Sequence, residues 1–388
     1  MISDIDGVYA SGIQCGIKPG KEDLAYIFIP NCAGSAVVLS QNLIRSASLD
    51  HNEGVFKKGP VKLMIINSGN ANSVTGDIGH VHVRQTIDKA AQVFGCEVDH
   101  IGVASTGIIG VPLPIQSVLD GIDQFDIHAK DGHACASAIL TTDLVKKESF
   151  RSVRIQDHDV HIAGITKGSG MIAPNMATTL GFITTNLSLD CAHCQSLLTS
   201  AIQDSYNMLS VDTDQSTNDM VSFHSSGALE LSLTAEDMAV FQAELTALCI
   251  DLAKQIARDG EGAQHLLEVC VTGAMSKNDA QTIAKLVVES PLVKTAVAGN
   301  DPNWGRIMMA LGKDPHVSID QSLLSIRIND VAVFTNGIPE PFDREGLVVL
   351  MATPDVIIDI CVGDGVFEAT AWGCDFTHGY IDINTEYS

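Results

Sequence analysis

The sequence has few basic residues, no leader-like start and no long apolar run. Its 23 lysine and arginine residues are outnumbered by 47 aspartate and glutamate residues, which gives a formal charge of -24. Such an excess of negative charge disfavours binding to nucleic acid or to an anionic membrane. Residues 1–12 lack a basic segment and an apolar stretch, and no apolar run reaches the roughly 18 residues of a membrane span. We therefore expect no nucleic-acid or membrane partner and, by default, a cytoplasmic location.

The signatures of several common enzyme classes are also missing. The segment Gly168-Ser169-Gly170 lacks the third glycine of a dinucleotide loop, and no Gly-x-x-x-x-Gly-Lys-Ser/Thr run occurs. The pairs His80 and His82, and His158 and His161, do not form the His-Glu-x-x-His pattern of a zinc helix. The Gly-x-Ser-x-Gly run that is typical of serine hydrolases does not occur. We therefore expect no metal and no nucleotide cofactor.

The ten cysteines are dispersed among mostly apolar neighbours, which favours free thiols in a reducing compartment. The one close pair, Cys191-Ala192-His193-Cys194, has the spacing of half a zinc site or of a redox motif. No second pair completes a zinc site, and apolar residues follow at helical spacing. We interpret the pair as ordinary helix residues that follow a cap at Ser188 or Asp190.

Alternating apolar patterns predict a mixed chain of strands and helices. Glycine and asparagine clusters after the first two predicted strands indicate turns at Asn67-Ser68-Gly69 and Ser105-Thr106-Gly107. The β-branched, glycine-punctuated tail from Gly346 predicts strands up to Tyr387. The first two predicted strands are 63–66 and 101–104, and two further strands are predicted at 267–272 and 331–335. The predicted helices are 86–94, 234–258 and 279–289, and the last of these ends before Pro291.

The most informative segment runs from Lys167 to Leu180 and joins a glycine-rich turn to an Ala177-Thr178 junction. A threonine hydroxyl inside a chain is a poor nucleophile, but an N-terminal threonine carries an α-amine that accepts the hydroxyl proton. The reference pKa of that amine, about 8, suits general base catalysis. Cleavage between Ala177 and Thr178 would therefore create a catalyst. Thr179 leaves a second candidate for the new N-terminus, although the preceding Met-Ala favours Thr178.

This segment resembles the self-cleaving centre of the ornithine acetyltransferases of arginine biosynthesis, also called glutamate N-acetyltransferases. Six further stretches are similar to family motifs and occur in the family's order along nearly the whole chain. Seven ordered matches argue strongly against chance. The six stretches are Asn67-Ser68-Gly69-Asn70-Ala71-Asn72, Ser105-Thr106-Gly107-Ile108-Ile109-Gly110, Thr141-Thr142-Asp143, Ser216-Thr217-Asn218-Asp219, Asp259-Gly260-Glu261-Gly262-Ala263 and Asp301-Pro302-Asn303-Trp304-Gly305-Arg306.

The resemblance implies a role for individual residues. Thr178 would be the nucleophile, and Thr106 and Gly107 would stabilise the oxyanion of the tetrahedral intermediate. Lys167 suits the α-carboxylate that both substrates share, and Glu261 suits the ammonium group of ornithine. The implied substrate contacts are Thr141 or Thr142, Lys167, Thr178, Glu261, Asn384 and Ser388. Ser388 lies four residues after Asn384, whereas the family's closing hydroxyl residue usually lies five after it.

The resemblance also implies an architecture. We expect an α/β (α+β) fold of layered sheets sandwiched by helices, with a C-terminal lobe. Self-cleavage would yield an alpha chain, 1–177, and a beta chain, 178–388, that share one folded unit. Two or more such pairs would assemble, as a heterotetramer or a larger oligomer.

The predicted reaction moves acetyl from N2-acetyl-L-ornithine to L-glutamate through an acetyl-threonine. Three alternatives are also compatible with the sequence. A bifunctional enzyme would also accept acetyl-CoA as a donor. An N-terminal-nucleophile hydrolase or aminopeptidase would replace glutamate with water, and a non-enzymatic binding protein would leave the chain uncleaved.

Overall fold

The computed structural model describes residues 1–173 and 179–385. The described residues form sixteen strands and eleven α-helices. The strands are β1 (Tyr9–Ile13), β2 (Leu24–Phe28), β3 (Gly34–Leu39), β4 (Leu63–Asn70), β5 (Ile101–Ile108), β6 (Lys147–Ile155), β7 (His158–Lys167), β8 (Leu180–Leu187), β9 (Leu209–Ser210), β10 (Met220–Leu229), β11 (Leu266–Ala274), β12 (Ser325–Ile328), β13 (Val331–Thr335), β14 (Ile338–Pro339), β15 (Asp355–Cys361) and β16 (Phe367–Cys374). The helices are α1 (Ala47–Val55), α2 (Asp77–Phe94), α3 (Ile115–Ile122), α4 (Gly132–Ala138), α5 (Cys191–Gln203), α6 (Ala235–Arg258), α7 (Lys277–Val288), α8 (Pro291–Ala298), α9 (Trp304–Leu311), α10 (Arg344–Met351) and α11 (His378–Thr385).

The chain divides into two compact units. The first contains Met1–Gly168, the described part of 174–206, and Gln215–Leu252; the second contains Ser169–Ala173, Asn207–Asp214 and the described part of 253–388. The second unit corresponds to the predicted C-terminal lobe. Each unit draws described residues from both sides of the predicted cleavage junction.

The first unit contains two sheets. One has the order β1-β2-β4-β5, and the other has the order β3-β10-β8-β7-β6. Within the first sheet β4 and β5 are parallel, whereas in the second sheet β7 and β8 are an antiparallel pair. The prediction of a mixed α/β fold is therefore confirmed.

Side chains of β2 alternate between two cores, as the period of two in a strand requires. Ala25 and Ile27 join a core that also contains residues of the five-stranded sheet. Tyr26 and Phe28 belong to a second core on the opposite face, together with residues of α2 and α3. On the five-stranded sheet, the side chains of α6 pack over Gly164 of β7. The two sheets are therefore layered and covered by helices, as predicted.

The second unit is built on one seven-stranded sheet with the order β14-β13-β12-β15-β11-β16-β9. Helix α7 packs against β11 and β16, and α9 packs against α7. The polar segment 259–265 between α6 and β11 begins with the predicted Asp259-Gly260 stop, and it carries Glu261.

Several local predictions are confirmed. The expected helices at 234–258 and 279–289 correspond to α6 and α7, and the expected strand at 331–335 is β13. The expected helix at 86–94 is the C-terminal half of α2, which begins earlier, at Asp77. Helix α5 begins at Cys191, where the side chain of Asp190 accepts a hydrogen bond from the backbone N–H of His193. The ten cysteines are free thiols. Cys191 and Cys194 are therefore helix residues, as interpreted from the sequence.

The predicted run of strands from Gly346 to Tyr387 is partly wrong. Strands β15 and β16 are present, but α10 precedes them and α11 follows them. The apolar run of α10 is typical of a strand, yet the Asp343 side chain caps the helix by accepting a hydrogen bond from the N–H of Gly346. No residue of α11 is buried, so no apolar stripe indicated that helix. Residues 386–388 lie outside the described part of the chain.

Candidate active site

The predicted oxyanion residues Thr106 and Gly107 lie in β5, near its C-terminal end. The turns expected at Asn67-Ser68-Gly69 and at Ser105-Thr106-Gly107 are both wrong, because the two segments belong to β4 and β5 and pair in parallel with each other. Gly107 has a φ of +132°, and a Cβ there would lie 2.3 Å from the carbonyl carbon of Gly69. Glycine is required here because two backbones approach closely, rather than because the chain reverses direction.

A buried polar network supports this strand end. The Ser105 hydroxyl donates to Asn67 Oδ1 at 2.7 Å. The amide of Asn218 donates to the backbone oxygens of Ser105, at 2.9 Å, and of Ala71, at 2.6 Å. Three of the seven stretches of the resemblance therefore contact one another, and the backbone of Ser105, directly before Thr106, is held by the Asn218 side chain.

Lys167 is the last residue of β7, and only 8% of it is exposed. Its Nζ donates a hydrogen bond to the Thr106 hydroxyl oxygen at 3.4 Å. A lysine beside a glycine-rich loop is usually a solvated surface charge, and only the resemblance distinguished this one. The structure brings together Lys167 and Thr106, two of the predicted site residues.

Asp143 connects the loop after α4 to the end of β7. Its carboxylate accepts hydrogen bonds from Lys147 Nζ and from the N–H of Gly168, both at 2.7 Å, and from the N–H of Thr141 at 3.0 Å. The side chains of Asp143 and Lys147 are fully buried. Burial alone would raise the pKa of Asp143, but the charges of Lys167 and Lys147 and these hydrogen bonds lower it to about 2.

Asp143 was not predicted as a site residue, although it closes the Thr141-Thr142-Asp143 stretch. Its hydrogen bonds hold the loop that carries Thr141 and Thr142, both half-buried, next to the residue that follows Lys167. An aspartate beside two threonines has no distinctive spacing in the sequence, so only its place in that stretch indicated it.

Asp219 is a second buried carboxyl group in the electrostatic field of Lys167. Burial raises the pKa of Asp219 to about 8, while the Lys167 charge acts in the opposite direction. The N–H of Ser216 donates to Asp219 Oδ2 at 3.1 Å. Lys167 therefore acts on two acidic side chains, Asp143 and Asp219, whose pKa values move in opposite directions.

In the second unit, Glu261 and Asn384 contact each other. The resemblance implied a role for each residue but did not imply this contact. Asn384 in α11 donates from Nδ2 to Glu261 Oε2 at 2.7 Å. A Cβ at Gly170 would lie 2.3 Å from the same carboxylate oxygen, so the glycine leaves the space that this carboxylate occupies. The backbone N–H of Glu261 donates to Ser169 O at 3.0 Å.

Asp212 binds the segment that leads toward the predicted cleavage junction. Its carboxylate accepts the N–H groups of Met171, at 2.6 Å, and Ile172, at 2.8 Å, and the Tyr380 hydroxyl at 3.2 Å. Burial raises the pKa of Asp212, and these backbone hydrogen bonds oppose the shift. Sequence reasoning assigned no role to this residue.

The predicted cleavage residues Ala177 and Thr178, and the predicted contact Ser388, lie outside the described residues. Thr179 is described and is buried. Its hydroxyl donates to the backbone oxygen of Lys167, and its own backbone oxygen accepts from Met220 N at 2.8 Å.

Over residues 1–173 and 179–385, no group of three or more His, Cys, Asp or Glu side chains has a geometry that could hold a metal ion. In the same part of the chain, none of the helices combines the length and the apolar character that a membrane crossing requires.

The chain is similar to proteins with a known role. A protein of Bacillus cereus named arginine biosynthesis bifunctional protein ArgJ is 40% identical over 388 residues, which cover 98% of this chain and 95% of the relative. The protein of the same name from Oceanobacillus iheyensis is 41% identical over 390 residues, which cover 100% of this chain and 96% of the relative. A crystal structure of the ArgJ protein of Bacillus halodurans is 40% identical and has a TM-score of 0.51. The match covers 53% of this chain and 98% of the crystallised chain.

The class of the protein follows from this similarity and from the layered fold: the chain is an acyltransferase of arginine biosynthesis. More specifically, it belongs to the ArgJ family, whose model matches residues 9–388. The family and the acetyltransferase class predicted from the sequence are thereby confirmed.

Proposed function

We propose that this chain is an autoprocessed acetyltransferase that moves acetyl from N2-acetyl-L-ornithine to L-glutamate through an ester on Thr178. The observation that carries the proposal is the hydrogen bond from Lys167 to Thr106, because it joins the predicted carboxylate-binding residue to the predicted oxyanion residue. Membership of the ArgJ family supports the same chemistry.

In the first half-reaction, the Thr178 hydroxyl attacks the acetyl carbonyl and passes its proton to the α-amine of the same residue. That proton then goes to the departing nitrogen of ornithine. Because Lys167 donates to the Thr106 oxygen, the Thr106 hydroxyl hydrogen is free to point at the oxyanion. The N–H of Gly107 is the second donor.

In the second half-reaction, the amine of glutamate attacks the acetyl ester, and Thr178 is released as the alcohol. The two substrates use one site in turn, so the kinetics should be ping-pong. Lys167 pairs with the α-carboxylate of each substrate, and Glu261 pairs with the ornithine ammonium. Thr141 or Thr142, Asn384 and Ser388 complete the proposed substrate contacts.

The same proposal includes cleavage between Ala177 and Thr178, through attack of the Thr178 hydroxyl on the Ala177 carbonyl followed by hydrolysis. Two observations support it. The match to the Bacillus halodurans structure covers 53% of the 388 residues here and 98% of the crystallised chain, which therefore has about 210 residues. The proposed beta chain, 178–388, has nearly the same length, 211 residues. Strands β7 and β8, on either side of the junction, pair in one sheet, which would hold both chains together.

We further propose that alpha and beta chains assemble as a heterotetramer of two pairs or a larger oligomer, and that the protein is cytoplasmic. Ten free thiols fit a reducing compartment. The proposed partners are small-molecule substrates, without nucleic acid or membrane.

A second activity has specific support, because the Bacillus cereus and Oceanobacillus iheyensis relatives are named bifunctional. Acetyl-CoA is the additional donor that we propose to test. The hydrolase alternative is less well supported, since water needs neither the buried Lys167 nor the buried Glu261 for its recognition.

Intact mass spectrometry before and after incubation with N2-acetylornithine tests the proposal. We expect two fragments that divide before Thr178, with the later fragment gaining one acetyl mass. Replacing the donor with acetyl-CoA tests the second activity. A single unmodified chain would refute both the cleavage and the covalent intermediate.

A further inference from the structure

The proposed reaction raises a problem of charge. Glu261 suits the side-chain ammonium of ornithine, but the acceptor glutamate carries a side-chain carboxylate that the same residue would repel. Lys167 is already assigned to the α-carboxylate that both substrates share. A second cation near the proposed oxyanion residues would offset that repulsion.

Lys18, in the loop between β1 and β2, lies beside the oxyanion residues. A Cβ at Gly69 would lie 2.7 Å from Lys18 Cγ, so the lysine stem crosses Gly69. The backbone of Gly69 in turn abuts Gly107. The Lys18 ammonium extends to Leu140, whose backbone oxygen accepts a hydrogen bond from Nζ at 2.7 Å. Lys18 therefore extends from the neighbour of Gly107 to the residue before Thr141.

The carboxylates nearest to Lys18 are engaged with other donors. Asp23 accepts the N–H groups of Cys15, Gly16 and Lys18 at 2.6, 3.1 and 2.7 Å. Asp143 accepts from Lys147 and from two backbone N–H groups. Among the described residues, Leu140 O is the one hydrogen-bond acceptor that the Lys18 ammonium contacts. An ammonium group has three donors, so Lys18 retains the capacity to bind an anion.

The ionisation of Lys18 fits such a role. Burial lowers the pKa of Lys18 to about 8, and the charges of Asp23 and Asp143 oppose that shift. The ammonium is therefore partly desolvated but still mostly protonated at neutral pH. A desolvated cation gains more from a carboxylate than a fully hydrated one does.

We propose that Lys18 forms the subsite for the side-chain carboxylate of the acceptor glutamate. This inference rests on the proposed function and assigns to it the residue that selects the acceptor. Lys18 is then a binding residue for the second half-reaction and has no part in forming the acetyl ester.

The test separates the two half-reactions. Acetylated enzyme is prepared with N2-acetylornithine, and its deacylation is followed with glutamate or with 2-aminobutyrate, which keeps the amine and α-carboxylate but lacks the side-chain carboxylate. Lys18→Met should slow deacylation by subsaturating glutamate about 10- to 100-fold, the size typical of a lost charge-assisted contact. The rates of acetylation and of deacylation by 2-aminobutyrate should not change. Lys18→Arg should restore part of the preference for glutamate.

Lys21→Met, in the same loop at an exposed position, is the matched control and should behave as wild type. Lys18→Gln provides a second neutral variant should the methionine variant fold poorly. Equal losses with both acceptors, or no loss with either, would overturn the subsite while leaving the proposed function intact. A wild-type chain that takes up no acetyl group would overturn the proposed function, and the subsite with it.

Discussion

The ammonium of Lys167 donates a hydrogen bond to the hydroxyl oxygen of Thr106 at 3.4 Å. The two residues belong to different sheets of the first unit, since Thr106 lies in β5 and Lys167 ends β7. Their contact depends on how the two sheets pack, and neither motif alone predicts it. Because Lys167 donates to the hydroxyl oxygen, the Thr106 hydroxyl hydrogen is left to donate to another group.

Thr106→Ala should lower kcat about 10²- to 10³-fold, because it removes one of two proposed oxyanion donors. Thr106→Ser keeps the hydroxyl and should retain most activity. Steady-state assays with N2-acetylornithine and glutamate give both values. If the alanine and serine variants lose equal activity, the hydroxyl is not the functional group. Gly107 is a poorer target, because any side chain there would collide with Gly69.

Glu261→Gln should raise KM for N2-acetylornithine about 10- to 100-fold, which corresponds to about 1.5–3 kcal/mol for a lost charge-assisted contact. Glutamine keeps the shape and an acceptor for Asn384, so folding should not change. Unaltered acetylornithine kinetics would refute the assignment.

Gly170→Ala tests the same carboxylate without removing it. The new methyl would lie 2.3 Å from Glu261 Oε2, so the carboxylate must move and lose its bond to Asn384. We expect a raised KM for N2-acetylornithine and a melting temperature close to that of wild type. Gly54→Ala is the control, because a methyl there meets nothing within 4 Å. If Gly170→Ala has wild-type kinetics, the position of the carboxylate does not matter for binding.

Much of the fold could be predicted from the sequence, and the exceptions have physical causes. Periodicity identified α2, α6 and α7 because each buries an apolar stripe. It missed α11, which buries none of its residues. Pro291 correctly marked the end of α7, but it also begins α8, where proline is favoured in the first turn.

For the site, the resemblance identified Lys167, Thr106, Glu261 and Asn384 as residues, but only the structure shows their contacts. Asp143 and Asp219 were missed because a single aspartate has no periodicity and its burial is a property of the tertiary fold. The glycines at 69 and 107 indicated turns, since close packing of two strands leaves the same composition as a chain reversal.

Asp143→Asn should destabilise the protein at neutral pH by about 3–5 kcal/mol, because it removes one charge from the fully buried ion pair of Asp143 and Lys147. The pKa of Asp143 in the folded chain, about 2, lies below the usual value of about 3.9. The ionised carboxylate therefore adds stability that is present above about pH 4 and is lost as the pH falls through 2. The stability difference between variant and wild type should thus shrink in acid, as measured by urea unfolding from pH 7 to pH 2.

The control for Asp143 is Asp157→Asn, at a side chain that is 99% exposed. It should change stability by no more than about 0.5 kcal/mol at any pH. A stability difference for Asp143→Asn that is the same at pH 7 and pH 2 would contradict the role of its charge.

Thr178 and Thr179 are the two candidates for the N-terminal residue that cleavage would create. Thr178→Ala should remain a single chain of 41.2 kDa without transferase activity, because the proposed nucleophile of both cleavage and acetyl transfer is gone. Thr179→Ala should still be cleaved, since the Thr179 hydroxyl is buried and already donates to the backbone of Lys167. Losing that hydrogen bond should cost about 1 kcal/mol of stability. Denaturing gels, intact masses and transferase assays of the two purified variants decide the assignment. Cleaved and active Thr178→Ala together with intact Thr179→Ala would move the nucleophile to Thr179, and the chain division with it.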